Sequence, residues 1–359
     1  MSKNSSKTSF IKKGLAALIG SVCFMSSAAM AADYTIIAPH VTSLDGYNHQ
    51  SLLVFKNHVE SRSNGAIEVE IYPSGQLCSS AKECISGVQQ ELYDYFQTTI
   101  PELANFWDPI GAFDLPYLLP DDRIAECVYD DEALIKDVRA KLLENAPNVR
   151  LMMVSNSGGW RSMATTKKQI KSPADVNGLK LRTVPAKIQQ ELVRTFGGSP
   201  TPLAWPEVYT ALSTGVVDGT KNGVVDIVMN RFNESIKFIT LDEHAYMGGA
   251  WVFNDAKFKD MPDNLKKIVI DGIAAQNQYL RAFPKHNEYA AYEEFKKTGG
   301  TVYNPSAEEK QAFIDASKPV RDFFLKESGE EGQVWLTRFE QTIANCKKSL
   351  DETYQYQLN

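Results

Sequence analysis

Histidine and cysteine are both scarce in this sequence, which has five of each among 359 residues. The histidines lack the spacing of metal ligands, and His49 and His58 lie more than two turns apart on a predicted helix, where surface positions suit them. The sequence also lacks a G-x-S-x-G elbow, an H-E-x-x-H pair, a Walker lysine loop and a G-x-G-x-x-G turn after a strand. We therefore predict no enzyme activity, no cofactor and no metal site.

Apolar runs long enough to cross a membrane are missing as well. The run at residues 14–25 has about a dozen residues, whereas a membrane span needs about 20. Lysines precede this run and the triplet Ala29-Met30-Ala31 follows it, which is typical of a secretory signal peptide. We predict that residues 1–31 are cleaved off after Ala31 and that the protein is exported to the periplasm. A lipid anchor on Cys23 is the alternative, but Val22 is a poor residue before a lipidated cysteine.

Positive charge is in deficit throughout the remainder of the chain. Removing residues 1–31 takes away four lysines and no acidic residue, which leaves 34 basic and 44 acidic residues and a net charge of about −10. An acidic surface disfavours nucleic acid and anionic lipid as partners, because both bind positive charge. The remaining length exceeds what one hydrophobic core usually supports, so two lobes are expected.

Four cysteines remain after the predicted cleavage: Cys78, Cys84, Cys127 and Cys346. An even number in an oxidising compartment favours disulfides, and four cysteines allow three pairings. The closeness of Cys78 and Cys84 in sequence favours Cys78–Cys84 with Cys127–Cys346, and the second bridge would tie the C-terminus to the first lobe. Buried free thiols remain an alternative, while a zinc site would need a C-x2-C pair that is absent.

Hydrophobic periodicity predicts alternating strands and helices after residue 32. Residues 34–38 and 66–72 are predicted strands around a helix at residues 47–61, a β-α-β unit whose strands should pair in parallel. Residues 98–106 are predicted to form a loop. Residues 149–155 are predicted to be a buried strand that ends this first block.

The alternation begins again near residue 158. Strands are predicted at residues 161–165, 179–183 and 216–219, with helices between them. Two successive blocks of this kind indicate two α/β lobes.

The C-terminal third is predicted to be helical. A long helix at residues 262–297 should be kinked by Pro284, and shorter helices should follow from Ser306 and at residues 332–350.

Residues 178–222 carry three motifs close together. They are Gly-Leu-Lys-Leu-Arg from Gly178, Pro-Thr-Pro-Leu-Ala-Trp-Pro-Glu-Val-Tyr-Thr-Ala-Leu from Pro200 and Val-Asp-Gly-Thr-Lys-Asn from Val217. This block resembles the central signature of the DctP-type solute receptors of TRAP transporters. Weaker resemblance extends over nearly the whole mature chain, including Phe113-Asp-Leu-Pro-Tyr-Leu and Ile170-Lys-Ser-Pro-Ala-Asp-Val-Asn-Gly.

The resemblance implies an α/β, two-lobed periplasmic-binding-protein fold. Each lobe would be a mostly parallel sheet with flanking helices, the ligand cleft would lie between the lobes, and a long kinked helix would span both. Lobe one is predicted to comprise residues 32–156 and about 248–285, and lobe two residues 157–247 and about 286–359. The implied function is that of a monomeric receptor that closes on a small organic anion and hands it to a membrane permease.

The resemblance also implies the ligand contacts of lobe two. Arg182 would make a two-pronged contact with a carboxylate, since a guanidinium offers parallel donors that match the carboxylate fork. Asn222 would add an amide contact, Arg161 would be a second arginine and Trp205 would form a flat wall. Without the motif, a strand arginine such as Arg182 would more often be part of a surface or lobe-bridging ion pair.

The opposing face of the cleft is expected to come from lobe one. The residues expected there are His40, Ser43, Tyr47, Gln97, Thr98, Thr99 and Glu102. Sialic acid is disfavoured as the ligand, because Thr99 and Glu102 stand where binders of that sugar carry Glu and Arg. Glu102 could accept a hydrogen bond from a hydroxyl or ammonium group of the ligand.

The identity of the anion stays open at this point. A C4-dicarboxylate, a sugar acid, a hydroxy acid and a sulfonate all suit two arginines. Two other functions are alternatives: a periplasmic enzyme that uses Glu102 and His40 as an acid/base pair, and a ligand-sensing receptor for a signalling partner.

Overall fold

The computed structural model describes residues 32–358. The predicted signal peptide, its cleavage site and Cys23 therefore lie outside the described residues. In this part of the chain no helix is long and apolar enough to cross a membrane. The strands are β1 (Tyr34–Pro39), β2 (Ile67–Tyr72), β3 (Tyr95–Thr99), β4 (Val149–Thr165), β5 (Lys180–Thr183), β6 (Ser199–Pro202), β7 (Gly219–Asn222), β8 (Phe238–Asn254) and β9 (Thr301–Tyr303).

The α-helices number eleven within residues 32–358. They are α1 (Tyr47–Arg62), α2 (Ala81–Gln89), α3 (Ile100–Leu103), α4 (Asp122–Asp130), α5 (Glu132–Asn145), α6 (Lys187–Thr195), α7 (Val208–Ser213), α8 (Val224–Met229), α9 (Asp255–Asp260), α10 (Asp263–Lys297) and α11 (Ala307–Leu358). Short 3-10 helices occupy Asp108–Asp114, Pro173–Val176, Trp205–Glu207 and Phe232–Glu234.

The predicted β-α-β unit at the start of the mature chain is confirmed. Strands β1 and β2 pair in parallel, with Tyr34 opposite Ile67, and α1 connects them. Leu52, Phe55 and Val59 of α1 are fully buried, because their helical spacing puts them on one face.

The remaining strands form one sheet in the order β3-β8-β4-β7-β5-β6, with β9 added beside β8. Pairing is parallel for β5/β6, β5/β7 and β8/β9, and antiparallel for β3/β8, β4/β7 and β4/β8. The expected parallel pairs are therefore present, and the two long strands β4 and β8 pair with each other in the antiparallel sense.

Strand β4 corrects the prediction of two separate strands at residues 149–155 and 161–165. It runs without a break alongside β8, but its register passes from Asn156 opposite Gly248 to Trp160 opposite Tyr246. Three residues of β4 thus oppose one residue of β8, which is a β-bulge. Gly158 and Gly159 have φ of 110° and 82°, a backbone region in which glycine is favoured.

Two hydrophobic clusters lie on each side of this bulge, and this division confirms the two-lobed α/β fold. Before it, Phe96 and Val154 pack in one cluster, while Tyr95 and Met153 pack in another on the opposite face of the sheet. Further along β4, Met163 and Ala164 pack in two other clusters, again on opposite faces. The lobe boundary at residues 156/157 stays a prediction, and the bulge begins at that position.

Helix α10 spans both lobes, as expected. Leu265 and Val269 are buried in a lobe-one cluster, whereas Ala291 and Phe295 are buried in a lobe-two cluster. Pro284 lies inside the helix between these two parts.

Two other predictions, a loop at residues 98–106 and a strand at residues 216–219, were wrong because local hydrogen bonds decide where α3 and β7 begin. Residues 98–106 are not simply a loop, since Thr99 and Glu102 form a capping box that starts α3. The strand expected at residues 216–219 begins only at Gly219, since the Val217 amide donates to the carbonyl oxygen of Ala211 in α7 and not to a neighbouring strand.

The C-terminal helices, predicted separately from Ser306 and at residues 332–350, run together as α11 with a break at Gly329. Before Gly329, Phe313 and Phe324 pack in a lobe-two cluster. After it, Trp335 and Phe339 pack in a lobe-one cluster. The predicted boundaries had assigned all of residues 286–359 to lobe two, whereas the packing puts the last part of α11 on the core of lobe one.

Both predicted disulfides are present in the structure. Cys78 and Cys84 are bonded with 5.3 Å between their Cα atoms, and Cys127 and Cys346 are bonded with 5.9 Å. The second bridge joins α4 of lobe one to the C-terminal part of α11.

Candidate functional site

A cavity with about 810 Å³ of empty space, part of it open to solvent, lies between the two lobes. Of the nine residues predicted to contact a ligand, eight line this cavity: Tyr47, Gln97, Thr99, Glu102, Arg161, Arg182, Trp205 and Asn222. As ligand contacts these residues remain a prediction.

Arg182 is held in the cavity wall by its backbone neighbours. It lies on β5, and its Nε and Nη2 atoms donate to the carbonyl oxygen of Leu203 at 3.1 and 2.8 Å. A guanidinium has five N–H donors, so these bonds fix one edge and leave the others for a ligand. Burial lowers the pKa of Arg182 to about 10, at which the side chain is still cationic at neutral pH.

Trp205 accompanies this arginine. Its ring centroid lies 5.6 Å from the guanidinium carbon of Arg182, within the range of a cation–π contact. The indole therefore both walls the cavity and restricts the orientation of the guanidinium.

Arg161 is the second cation of the site and lies on β4 just past the bulge. It is only 3% exposed, its Nη1 donates to the carbonyl oxygen of Lys221 at 3.3 Å, and its Nε has no hydrogen-bond partner within residues 32–358. A buried donor without a partner is costly. An anion in the cavity would provide the missing acceptor.

Asn222 ends β7, directly opposite Ser162 of β4. Its Oδ1 accepts from the Thr220 hydroxyl at 2.9 Å, and its Nδ2 donates to Asp226 Oδ2 at 3.2 Å. One hydrogen of the amide NH₂ group remains available for a ligand.

Asp226 is the functional candidate that sequence reasoning missed. It lies on α8, lines the cavity and is 5% exposed. The Tyr47 hydroxyl of lobe one donates to its Oδ1 at 3.0 Å, so this bond crosses the cleft. Burial raises the pKa of Asp226 to about 6. The signal in the sequence is an aspartate inside the apolar run Val-Val-Asp-Ile-Val, four residues after Asn222.

The lobe-one wall is formed by polar side chains that bond to each other. Glu102 Oε2 accepts from the Thr99 hydroxyl at 2.8 Å, and Gln97 accepts from Asn48 Nδ2 at 3.2 Å. Gln97 also donates to the Thr98 carbonyl oxygen at 2.8 Å. These bonds fix the side chains before any ligand enters.

His40, the ninth predicted residue, is not among the lining residues, and neither is Ser43. The His40 ring is buried, and its two nitrogens bond to His49 Nδ1 at 2.9 Å and Thr42 Oγ1 at 3.0 Å. Burial and the neighbouring His49 lower the pKa of His40 to about 4. His40 therefore supports Thr42, which does line the cavity.

The site as a whole presents two cations and two carboxylates to one cavity. Arg161 and Arg182 lie on lobe-two strands, Asp226 on a lobe-two helix and Glu102 on the lobe-one helix α3. Within residues 32–358 no cluster of three or more metal-ligating side chains is found. Chemically, the arrangement suits a ligand that carries an acid group and, beside it, hydrogen-bond donors.

Comparisons with known proteins identify the family of the chain. Residues 38–328 match the family model DctP, described as bacterial extracellular solute-binding protein, family 7. The C4-dicarboxylate-binding periplasmic protein DctP of Rhodobacter capsulatus is 29% identical over 88% of this chain and 95% of that protein. The 2,3-diketo-L-gulonate-binding periplasmic protein YiaO of Escherichia coli K12 is 26% identical over 87% of this chain and 93% of that protein.

A solved structure agrees over a similar length. The TRAP periplasmic solute binding protein from Desulfovibrio salexigens, crystallised with bound orotic acid, superposes with a TM-score of 0.81 and 27% identity. The match covers 87% of this chain and 99% of that one.

Proposed function

The chain belongs to the DctP family of bacterial extracellular solute-binding proteins, and we propose that it captures a small organic anion and delivers it to the membrane permease of a TRAP transporter. In this proposal the anion is a C4-dicarboxylate, a sugar acid, a hydroxy acid or a sulfonate. The protein is exported after cleavage at Ala31, acts as a monomer and carries out no chemistry on its ligand.

The observation that carries the proposal is the pair of buried arginines in the cleft. Arg182 keeps donors beyond its bonds to Leu203, and the buried Nε of Arg161 has no hydrogen-bond partner among the described residues 32–358. Two guanidinium groups that converge on a cavity match the fork of a carboxylate or sulfonate. Asn222 adds an amide donor at the same wall.

The cleft is proposed to open and close at the strands that join the lobes. The bulge at residues 157–159 interrupts the pairing of β4 with β8 where the cores change, and Pro284 lies inside α10 between its lobe-one and lobe-two parts. Hinge residues are commonly found at the ends or irregularities of elements. The bond from Tyr47 to Asp226 forms only when the lobes are close, so closure would both seal the ligand and complete this bond.

An acid/base enzyme based on Glu102 and His40 has less support. Glu102 lines the cavity, whereas the His40 ring is bonded to Thr42 and His49 outside its wall. The two side chains therefore do not present a joint site to a bound acid.

Titration calorimetry on residues 32–359 with succinate, D-gluconate, D-glucuronate, D-lactate and isethionate tests the proposal. At least one acid should bind saturably, and Arg182→Ala should weaken that binding by about 2–5 kcal/mol, because the buried ligand charge loses its partner. Arg194→Ala is the matched control, since Arg194 lies on the exposed side of α6 in the same lobe.

Either of two results would contradict the proposal. Unchanged affinity in Arg182→Ala would contradict the assignment of Arg182 as the residue that binds the carboxylate. Absence of binding by every acid would remove the function itself.

A further inference from the structure

The two arginines of the cleft are matched by an equal number of carboxylates, and this balance bears on which anion fits. Arg161 and Arg182 supply two positive charges to the cavity, and Asp226 and Glu102 supply two negative charges. A site built for a doubly charged anion would show an excess of positive charge instead.

In the part of the chain that the structure describes, Asp226 forms no direct ion pair. Its hydrogen-bond partners, Tyr47 at 3.0 Å and Asn222 at 3.2 Å, are neutral donors. Each carboxylate oxygen can accept two hydrogen bonds, so both oxygens of Asp226 keep acceptor capacity toward the cavity. Its negative charge is offset only through space by Arg161 and Arg182, both of which act on it electrostatically.

Glu102 has the same character on the opposite wall. Its Oε2 accepts from the hydroxyl and amide of Thr99 at 2.8 and 3.3 Å and from the Thr98 hydroxyl at 3.4 Å. These donors are neutral as well. Glu102 and Asp226 both act electrostatically on Arg182, so the two carboxylates face the same arginine from opposite lobes.

We propose that Asp226 and Glu102 restrict the receptor to ligands that have one acid group and hydrogen-bond donors on the rest of the molecule, and that they exclude dianions. This inference rests on the proposed function of the cleft. The acid group of the ligand would bind between Arg182, Arg161 and Asn222, and its hydroxyl or ammonium groups would donate to the two carboxylates.

The physical reason is the cost of like charges in a closed, poorly solvated cavity. A second carboxylate on the ligand would lie against Asp226 or Glu102, and such contacts between like charges suppress the wrong partner. A hydroxyl group at the same place would donate a charge-assisted hydrogen bond, which is stronger than a neutral one. The charge of Asp226 is consistent with this repulsion. Burial raises the pKa of its carboxyl group to about 6, so most of the group is ionised at pH 7.5.

Calorimetric affinities of the wild-type protein for three groups of probes test the inference at pH 7.5. The probes are D-gluconate and D-glucuronate as hydroxylated monoacids, 4-aminobutanoate as a zwitterion, and succinate and fumarate as dianions. A hydroxylated monoacid or the zwitterion should bind at least about a hundredfold more tightly than either dianion, and which of the two binds identifies the donor as hydroxyl or ammonium. Tighter binding of a dianion would overturn the inference and leave the proposed function intact, whereas silence from all probes would overturn both.

Variants that remove the negative charge of Asp226 or Glu102 but keep the shape of the side chain test the exclusion of dianions directly. Asp226→Asn and Glu102→Gln should each raise the affinity ratio of succinate to the best monoacid by about tenfold or more. Tyr47→Phe removes a hydrogen bond that helps to keep Asp226 ionised, so it should shift the ratio in the same direction as Asp226→Asn but by less. Glu308→Gln, an exposed carboxylate in the first turn of α11, controls for net charge.

Thermal unfolding of each variant shows whether it is folded. An unchanged ratio in folded Asp226→Asn, Glu102→Gln and the double variant would overturn the inference.

Discussion

Asp226 is central to the electrostatics of the cleft. It is buried beside two arginines, yet its hydrogen bonds come from the neutral side chains of Tyr47 and Asn222. Desolvation is the largest influence on it and raises its pKa from 3.8 to about 6. The folded protein therefore bears a cost for the ionised form of this side chain, as functional sites often do.

This cost predicts a pH dependence of stability. Below about pH 4 the carboxyl group is protonated in both the folded and the unfolded state, so it costs nothing. Above about pH 6 it is ionised in both states, and the folded state bears the whole penalty of up to about 3 kcal/mol. We expect Asp226→Asn to raise the free energy of unfolding relative to wild type more at pH 7.5 than at pH 4.5.

Urea unfolding of both proteins at the two pH values measures this difference. The comparison with wild type cancels other titrating groups, because only residue 226 differs. A stability difference that is the same at pH 4.5 and pH 7.5 would show that Asp226 keeps an ordinary pKa in the fold.

At the scale of single elements, the bulge in β4 lies at the proposed hinge and directly beside the site. Gly158 and Gly159 both have positive φ, but their surroundings differ. A Cβ atom on Gly158 would lie 2.6 Å from Asp226 Oδ2 and 2.7 Å from Met247 Cε, whereas one on Gly159 would have nothing within 4 Å. The bulge therefore brings the backbone of β4 directly against the carboxylate of α8.

The two glycines make a matched pair for mutation. Gly159→Ala should cost about 1–2 kcal/mol of stability, which is the penalty of a left-handed backbone for a residue with a side chain. Gly158→Ala should cost clearly more and should also weaken ligand binding, because the methyl group would displace Asp226 or Met247. Chemical denaturation and calorimetry measure the two effects. Equal stability loss with intact binding in both variants would contradict this account of the bulge.

At the scale of the whole molecule, the chain ends by returning to its first lobe. Helix α11 starts on lobe two, breaks at Gly329 and then buries Trp335 and Phe339 in a lobe-one core. The bridge between Cys127 and Cys346 secures this return and closes a loop across 219 positions of sequence, whereas Cys78–Cys84 closes one across six.

The two disulfides should therefore differ in their effect on stability. In the chain-entropy model a bridge that closes a longer loop restricts the unfolded state more, and removing a native bridge of this kind costs about 2–5 kcal/mol. We expect the pair Cys127→Ser and Cys346→Ser to lower the free energy of unfolding by more than the pair Cys78→Ser and Cys84→Ser. Urea unfolding of both double variants checks the order, and a greater loss from the short loop would contradict it.

Much of the fold and part of the site could be predicted because the relevant signals are local. The spacing of Leu52, Phe55 and Val59 was enough to define α1. The motifs around Arg182 and Asn222 identified two cavity residues, because they lie at the ends of short strands whose sequence is distinctive.

Other features depend on contacts between distant residues, which no local pattern records. Periodicity stops at a bulge, so it could not show that residues 149–165 are one strand. Burial of an aspartate on a two-turn helix became meaningful only when Tyr47, 179 positions away, was seen to donate to it. The sequence by itself therefore predicted most of the elements, favoured the disulfide pairing that is present and pointed to the two arginines of the cavity wall. The tertiary structure alone decided which side chains meet in the cleft, because the electrostatics of a buried site depend on distances between lobes and not on order along the chain.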